Sequence, residues 1–405
     1  MNQQRSLSIF NYYPLEFMGG GEVTAINILN RIRDVYEIHY YSSKEYKGIK
    51  RLCYEDLNKL IEFEYRYEDF KRFTFFKLPP LFKPEPDPSK PEFSSLSLIF
   101  LSSVPSKLFL KSAIKHGKTV LFLFHGMTFE GFRGRSINGF LLWLYGVVAK
   151  IFLSYEAKYI KEDNFAFQIF NQHQMEELRK LGVKEDNIFF IPSGIDFKPY
   201  KLKENNEIFN IVMLTRIEKM TKGIDNLQKL VRRFPTKYKD INFTIIGSGK
   251  NSRTVRKLAN QYSFLKYTGF ISDEEKYKIL SESNLMISLS NIEPFPLNIL
   301  EGLAAGLPIV CTNFSGSWAV RQDERLGKVT SFDPEEIIEA ILFYYYKWTE
   351  NKSNYYLEKL NRRKIASQTY SIEAMVDKYL EMLEKVYNRK RPNTLAQDNL
   401  QISKC

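Results

Sequence analysis

The stretch Leu285-Met-Ile-Ser-Leu289, followed by Glu293-Pro-Phe-Pro-Leu-Asn-Ile-Leu-Glu301 and Gly302-Leu-Ala-Ala-Gly-Leu-Pro308, decides the fold. An apolar run leads into a loop and then into a helical pattern, as when a strand is followed by a helix. Ligands of open α/β sheets bind at the carboxyl ends of the strands. We expect Glu293 in that loop and Glu301 about one turn into the helix. Two carboxylates there can accept hydrogen bonds from the hydroxyl groups of a sugar and a ribose, although two glutamates alone could equally be solvated.

The same alternation of strand and helix extends through both halves of the chain. Short apolar runs are separated by helix-length stretches, which is typical of parallel sheets wrapped by helices. The strand candidates are Ser6–Tyr12, Glu37–Tyr41, Leu96–Leu101, Val120–Phe124, Ile211–Leu214, Phe243–Ile246, Leu285–Leu289 and Ile309–Cys311. The pattern predicts an α/β protein with two Rossmann-like, doubly wound domains that face a cleft.

The domain boundaries follow from this alternation. We predict a first domain over residues 1–196, a second over 197–370, and a C-terminal helix over 371–388. The apolar residues of that helix fall on one face, so we expect it to cross back and pack on the first domain; they are Ile372, Met375, Val376, Tyr379, Leu380, Leu383, Val386 and Tyr387. The polar residues 389–405 are predicted to form a disordered tail.

Composition favours an ordered globular protein. Of 405 residues, 26% are charged and 44% hydrophobic. The sequence contains no apolar run of ~18 residues, the length needed to span a membrane. Residues 1–20 lack the apolar core of a signal peptide. The three cysteines lie far apart, so we expect neither a disulfide framework nor a zinc site. So few cysteines favour a cytoplasmic location.

The net charge of +12 is carried unevenly. Residues 1–196 contain 26 basic and 23 acidic side chains, so most of the excess lies in the second half. A phosphate-bearing ligand, a nucleic acid, an anionic membrane or an ordinary lysine-rich surface would each explain it.

Several motifs occur in a recognisable order along nearly the whole chain. They are Gly19-Gly20-Gly21-Glu22, Phe124-His125-Gly126, Ile191-Pro-Ser-Gly-Ile-Asp196, Arg216 with Lys222-Gly223, Tyr267-Thr-Gly269-Phe-Ile-Ser, and the Glu293/Glu301 pair. In this order they resemble the landmarks of retaining GT-B glycosyltransferases, in particular glycosyltransferase family 4, the glycosyl transferases group 1. The resemblance implies transfer of a hexose from a nucleoside-diphosphate sugar.

The resemblance also implies roles for individual residues. Arg216 and Lys222 would neutralise the departing diphosphate, while His125 and Glu293 would face the transferred sugar and complete the catalytic set. Glu301 would bind the ribose hydroxyls, and the glycine loop would let the backbone approach the diphosphate. The implied substrate-binding residues are Gly19, Gly20, Gly21, Ile271, Asp273, Lys276, Phe295, Leu297 and Glu301.

By the same resemblance, the enzyme would be a hexosyltransferase that needs no metal and no cofactor. A UDP-sugar is the favoured donor, with GDP-mannose as the alternative, and the acceptor would be a glycan or a lipid-linked molecule. The enzyme would act in the cytoplasm or at the cytoplasmic face of the membrane. Within residues 133–155, the uncharged stretch Gly139–Ala149 predicts either a buried helix or a peripheral membrane contact.

Two departures from the family pattern stand out. Pro294 and Pro296 occupy positions where relatives often have glycine, which removes two backbone donors and stiffens the loop. The loop Ser315-Gly316-Ser317-Trp318 lacks the glutamate that often ends it. From the first departure we expect some contacts to the sugar to differ from those of the family, and from the second a different specificity for the acceptor or the donor.

Other protein classes fit the sequence less well. A dinucleotide-binding oxidoreductase would need a third glycine after Gly247-Ser-Gly249, but position 252 is Ser252. A GT-B epimerase or phosphorylase remains an alternative, although no lysine for pyridoxal phosphate is recognisable. A nucleic-acid-binding protein would use the positive charge, but no nucleic-acid motif is present and we expect no such partner.

Overall fold

The computed structural model describes residues 5–11, 15, 20–43, 59–61, 64–68, 87–91, 93–101, 107–124, 158–204, 207–235 and 237–388. The statements below concern this part of the chain. Gly19, His125, the segment 133–155 and the tail 389–405, all singled out above, lie outside the described residues.

The first sheet is formed by seven strands in the order β3-β2-β1-β4-β5-β6-β7, and all its pairs are parallel. Parallel strands with both faces covered are buried along their whole length, as in Phe165–Ile169, where even Gln168 is buried. The strands are β1 (Arg5–Asn11), β2 (Tyr36–Ser43), β3 (Glu64–Glu68), β4 (Leu96–Leu101), β5 (Thr119–Phe124), β6 (Phe165–Ile169) and β7 (Ile188–Phe190).

The second sheet has six strands in the order β10-β9-β8-β11-β12-β13, again with parallel pairs only. The chain winds outward from β8 to β10 and then returns to the other side of β8, so a crevice opens between β8 and β11. The strands are β8 (Phe209–Leu214), β9 (Ile241–Ile246), β10 (Leu265–Gly269), β11 (Leu285–Ser288), β12 (Ile309–Thr312) and β13 (Gly327–Thr330).

Helices connect the strands of both sheets. Several begin at residues whose side chains accept a hydrogen bond from the first turn, such as Ser272 from Glu275 N at 3.2 Å. They are α1 (Gly20–Ile32), α2 (Lys107–Lys115), α3 (Gln172–Lys180), α4 (Lys219–Lys222), α5 (Ile224–Arg233), α6 (Ser252–Gln261), α7 (Asp273–Glu282), α8 (Leu297–Ala304), α9 (Trp318–Arg321), α10 (Pro334–Glu350), α11 (Lys352–Tyr370) and α12 (Ile372–Asn388).

Helix α12 returns to the first sheet. It contacts α1, and its buried face belongs to the same apolar cluster as residues of β1, β2 and β4. At its start, Ile195 and Ser371 form a parallel bridge between the two segments that cross from one sheet to the other. A Cβ on Gly194 would lie 2.5 Å from the Ser371 carbonyl oxygen, so only glycine allows the segments to approach so closely.

Two parallel, helix-flanked sheets confirm the predicted fold class of two Rossmann-like α/β domains. The sheets cover residues 5–190 and 209–330. Among the described residues, no helix is both long and apolar enough to cross a bilayer.

Candidate active site

Lys222 and Glu293 are in direct contact at the crevice beside β11. Lys222 ends the short helix α4, and its ammonium group touches Glu293 Oε1. The two side chains are 17% and 16% exposed, so the pair is largely shielded but still reachable from solvent. Ser290 Oγ donates to the other carboxylate oxygen of Glu293 at 3.2 Å. The structure thus brings together two residues that the resemblance assigned to one catalytic set.

Gly223 allows the turn that carries Lys222 to lie against the end of β11. Its φ is +67°, and a Cβ there would sit 1.7 Å from the carbonyl oxygen of Leu289. Asn226 holds the same carbonyl oxygen with its side-chain amide at 3.0 Å. A larger residue at position 223 would push Lys222 away from Glu293.

The backbone of Glu293 is fixed by the loop that lacks the family glutamate. Gly316 N donates to the Glu293 carbonyl oxygen at 2.8 Å, and Ser315 Oγ donates to it at 3.1 Å. A Cβ on Gly316 would lie 2.6 Å from that oxygen. In this chain, the Ser315-Gly316 loop therefore orients Glu293 through its main chain.

A second lysine–carboxylate cluster surrounds Glu301, one turn into α8. Lys276 Nζ lies 2.7 Å from Glu301 Oε1 and 2.8 Å from Asp273 Oδ1. Burial raises the pKa of the Glu301 carboxyl, although the charge of Lys276 and hydrogen bonds from Lys276 and Tyr200 oppose that effect. Burial lowers the pKa of Lys276, but the contacts with Glu301 and Asp273 outweigh that effect and raise the pKa above its usual value. The cluster holds a carboxylate ready for a ligand with hydroxyl groups.

Tyr200 is a member of this cluster that sequence reasoning missed. It is buried, and its ring packs edge-on against Tyr277 at 5.0 Å between centroids. Arg363 donates to its carbonyl oxygen at 2.5 Å, which anchors the chain between the two sheets beside Glu301. Tyr200 lies in an irregular segment, so no periodic pattern pointed to it.

Arg216 stands apart from both clusters. It follows β8 as predicted, but its side chain is 65% exposed, and its nearest carboxylate among the described residues is Glu218 at 3.8 Å. The structure does not bring it into contact with Glu293 or Glu301. Its guanidinium group faces solvent at the same edge of the sheet.

Phe295 connects the site to the first domain. Its ring is buried and stacks on Phe170 at 5.4 Å with an interplanar angle of 25°. Asn171 donates to the carbonyl oxygen of Pro294 at 3.2 Å. Of the other predicted substrate-binding residues, Ile271 and Leu297 are partly buried against the core of the second domain. The side chain of Phe295 therefore holds the domains together, and Phe295 itself can offer a ligand only its main-chain groups.

The predicted glycine loop falls at the start of α1, in the first domain. Gly20 and Gly21 begin this helix, and the buried Glu22 accepts a hydrogen bond from Asn11 Nδ2 at 3.2 Å. Asn11 also donates to Tyr40 OH at 2.9 Å, so the helix start is tied to β1 and β2. Among the described residues, no group of three or more His, Cys, Asp and Glu side chains could hold a metal ion.

Comparison with known proteins points to one family for the second domain. Residues 195–359 match the family model of glycosyl transferases group 1. An uncharacterized glycosyltransferase of Haemophilus influenzae is 27% identical over 165 residues, which cover 40% of this chain and 45% of that protein. The alpha-monoglucosyldiacylglycerol synthase of Acholeplasma laidlawii is 29% identical over 151 residues, covering 33% and 38%. The chain thus spans less than half the length of these curated relatives.

Solved structures resemble the whole described architecture. The Anabaena protein HepE, determined in complex with UDP and glucose, superposes with a TM-score of 0.62 at 15% identity and covers 94% of this chain and 100% of its own. Sucrose-phosphate synthase from Thermosynechococcus elongatus gives a TM-score of 0.67 at 13% identity, with 95% and 100% covered. At this identity the likeness concerns the fold, and it confirms the predicted GT-B arrangement.

Proposed function

We propose that this chain is a retaining glycosyltransferase that moves a hexose from a nucleoside-diphosphate sugar to a glycan or a lipid-linked acceptor. The observation that carries the proposal is the pair of lysine–carboxylate clusters around Glu293 and Glu301, at the crevice beside β11. The family match of residues 195–359 supports the same reaction class. A UDP-sugar is the favoured donor, because HepE was determined with UDP and with UDP-glucose.

In this proposal the two clusters bind different parts of the donor. Glu301 accepts hydrogen bonds from the ribose hydroxyls, and Lys276 favours its ionised form. Glu293 accepts hydrogen bonds from the sugar hydroxyls. Lys222, which lies beside it, turns to the diphosphate and exchanges its carboxylate partner for a phosphate oxygen. Before the donor binds, each lysine thus holds a carboxylate in place, and only Lys222 changes its partner when the donor binds.

The transfer step follows from these placements. Retention by double displacement would need a carboxylate on the ring face opposite the leaving group. Glu293 and Glu301 are both committed to hydroxyl groups, so we favour front-face substitution. The acceptor oxygen bonds to the anomeric carbon as the bond to the diphosphate breaks, and the acceptor proton passes to the departing phosphate oxygen. Lys222 and the solvent-facing Arg216 stabilise the charge that develops there, without a metal or cofactor.

The test is a transfer assay on the full chain with radiolabelled UDP-glucose, UDP-galactose, UDP-N-acetylglucosamine and GDP-mannose. We expect nucleotide release with at least one donor, transfer to a glycan or extracted lipid, and full activity in EDTA. An Asp186→Asn variant, changed at an exposed position on the first domain, serves as the control. Conversion of the donor sugar to its epimer, phosphate-dependent cleavage, or loss of activity in EDTA that manganese restores would contradict the proposal.

A further inference from the structure

The positive charge of the second half is concentrated in one part of the second domain. Residues 226–272 contain ten lysines and arginines against a single acid, Asp240, whereas the other residues after position 196 contain equal numbers of both. Asp240 accepts a hydrogen bond from Tyr345 OH at 2.9 Å. All ten basic side chains are exposed; they are Lys229, Arg232, Arg233, Lys237, Lys239, Lys250, Arg253, Arg256, Lys257 and Lys266.

Six of these residues lie on the exposed sides of two neighbouring helices, and we call these six residues the basic face. Helices α5 and α6 contact each other. They flank the same side of the sheet because both belong to right-handed crossovers that run outward from β8 to β10. Each helix carries three basic residues with the spacing i, i+3, i+4, which places them on one side of the helix. They are Lys229, Arg232 and Arg233 on α5, and Arg253, Arg256 and Lys257 on α6.

The fold itself does not account for the basic face. Among the described residues, only Arg233 of the six has a carboxylate within reach, Glu335 at 3.5 Å. Arg253 lies in the first turn of α6, which holds no acid and where the helix dipole disfavours a cation. Like charges four residues apart also destabilise a helix, and surfaces that serve solubility alone mix both signs. An external anionic partner would compensate for these unfavourable features.

We propose that the basic face docks on the anionic surface of a lipid bilayer. The charges spread over two adjoining helices, each about 15 Å long and roughly 10 Å from its neighbour, so they match a planar array of phosphate groups. Neither helix contains an aromatic residue on which bases of a single-stranded nucleic acid would stack. None of the exposed large hydrophobic side chains of the described residues lies on α5 or α6. The contact is therefore electrostatic and does not insert into the bilayer.

This docking goes beyond the transfer reaction and does not depend on it. A basic side chain near an anionic bilayer contributes about 1 kcal/mol, and its effect fades within a Debye length of ~10 Å at 0.1 M salt. Neutralising three residues of the basic face should thus lower the partition coefficient onto anionic vesicles roughly a hundredfold.

The experiment measures sedimentation of the full chain with vesicles of phosphatidylcholine, with and without phosphatidylglycerol. We expect binding only with phosphatidylglycerol, and release at high salt. Two variants remove three charges from one helix each, and a third, with the same change in charge, alters exposed lysines elsewhere. They are Lys229→Gln/Arg232→Gln/Arg233→Gln, Arg253→Gln/Arg256→Gln/Lys257→Gln and, as control, Lys198→Gln/Lys201→Gln/Lys364→Gln. Only the first two should lose binding.

Three results would overturn the docking proposal. One is wild-type protein whose binding to vesicles does not depend on phosphatidylglycerol, and another is a control variant that loses as much binding as the other two. The third is tighter binding of homopolymeric RNA than of vesicles when that binding is lost in the same two variants. Release of nucleotide from the donor sugar in vesicle-free buffer is measured in parallel. Because that activity should stay unchanged in all three variants, failure of the docking proposal is distinguishable from failure of the proposed function.

Discussion

Lys276→Met should separate the two contributions of this lysine, to folding and to ligand binding. The substitution keeps most of the apolar stem but removes the ammonium group, which lies 2.7 Å from Glu301 and 2.8 Å from Asp273. Asp273 is 76% exposed and can be solvated instead. Glu301 is 20% exposed and would remain without its cation.

The expected magnitude follows from this geometry. Two unit charges 2.7 Å apart attract by about 6 kcal/mol at an effective dielectric constant of 20, but much of that attraction offsets the cost of desolvating them. Deleting one partner of a fully buried pair costs about 3–5 kcal/mol, and an exposed pair contributes below about 1 kcal/mol. For this partly shielded pair, we expect a loss of about 2 kcal/mol in the free energy of unfolding at pH 8.

The loss should depend on pH in a defined direction. The pKa of Glu301 is already raised by burial, and removing Lys276 raises it further. At a given pH in this range, the folded variant then binds more of this proton than the folded wild type does, so its deficit in stability should shrink as the pH falls from 8 to 5. The affinity for UDP should fall about tenfold at pH 8, because the carboxylate loses the cation that orients it.

The assays are urea unfolding at several pH values and calorimetric titration with UDP. Lys278→Met is the matched control, since Lys278 is exposed two residues further along the same helix. The control should leave both quantities unchanged. If Lys276→Met unfolds like the wild type at pH 8, or if its deficit grows toward pH 5, our account of the cluster is wrong.

Five further substitutions probe the site and the fold. Lys222→Ala, and likewise Arg216→Ala, should lower kcat on the order of a hundredfold with a smaller change in donor affinity, and near-normal turnover in both would refute their assigned role. Gly223→Ala should lower the free energy of unfolding in urea by at least about 4 kcal/mol, because its Cβ would meet a backbone oxygen. Gly269→Ala, with φ +76° and open space around the Cβ, should lower it by about 1–2 kcal/mol, and equal losses would contradict this account. Burial lowers the pKa of Lys359 to about 7, so between pH 7 and 10 the unfolded chain binds a proton that the folded chain does not, and wild-type stability should rise with pH. Lys359→Met should remove that slope of up to ~1.4 kcal/mol per pH unit, and an unchanged slope would show that another group titrates.

The sequence predicts those elements whose pattern is local. The run Ile211–Leu214 is apolar throughout, and Phe243–Ile246 is apolar except for Thr244; they lie within strands β8 and β9. In contrast, β3, with its sequence EYRYE, has no apolar run, and β7 is an apolar run of only three residues, Ile188-Phe189-Phe190; both went unrecognised. Their strand conformation depends on pairing with a neighbour in the sheet, which no short window of sequence contains.

The candidate site divides in the same way. Position beside a strand end drew attention to Glu293 and Glu301, the family resemblance pointed to Lys222, and the contact between Lys222 and Glu293, 71 residues apart, needed the structure. Tyr200 was missed because its place is set by tertiary packing. The ring of Phe295 was expected at the ligand, but it packs on Phe170 of the other domain, a contact that sequence spacing does not encode.

The return of α12 to the first sheet has a consequence for how this protein is made. Seven buried residues of that helix complete the core built on β1, β2 and β4. During synthesis, the first domain leaves the ribosome long before residues 372–388 exist. The apolar surface that α12 covers therefore stays uncovered while the whole second domain is translated. The second domain can fold during that interval, because its own clusters contain no residue of α12. The domain synthesised first is therefore the last to become stable, and ribosome-bound chains that end before residue 371 should show protease resistance in the second domain before the first.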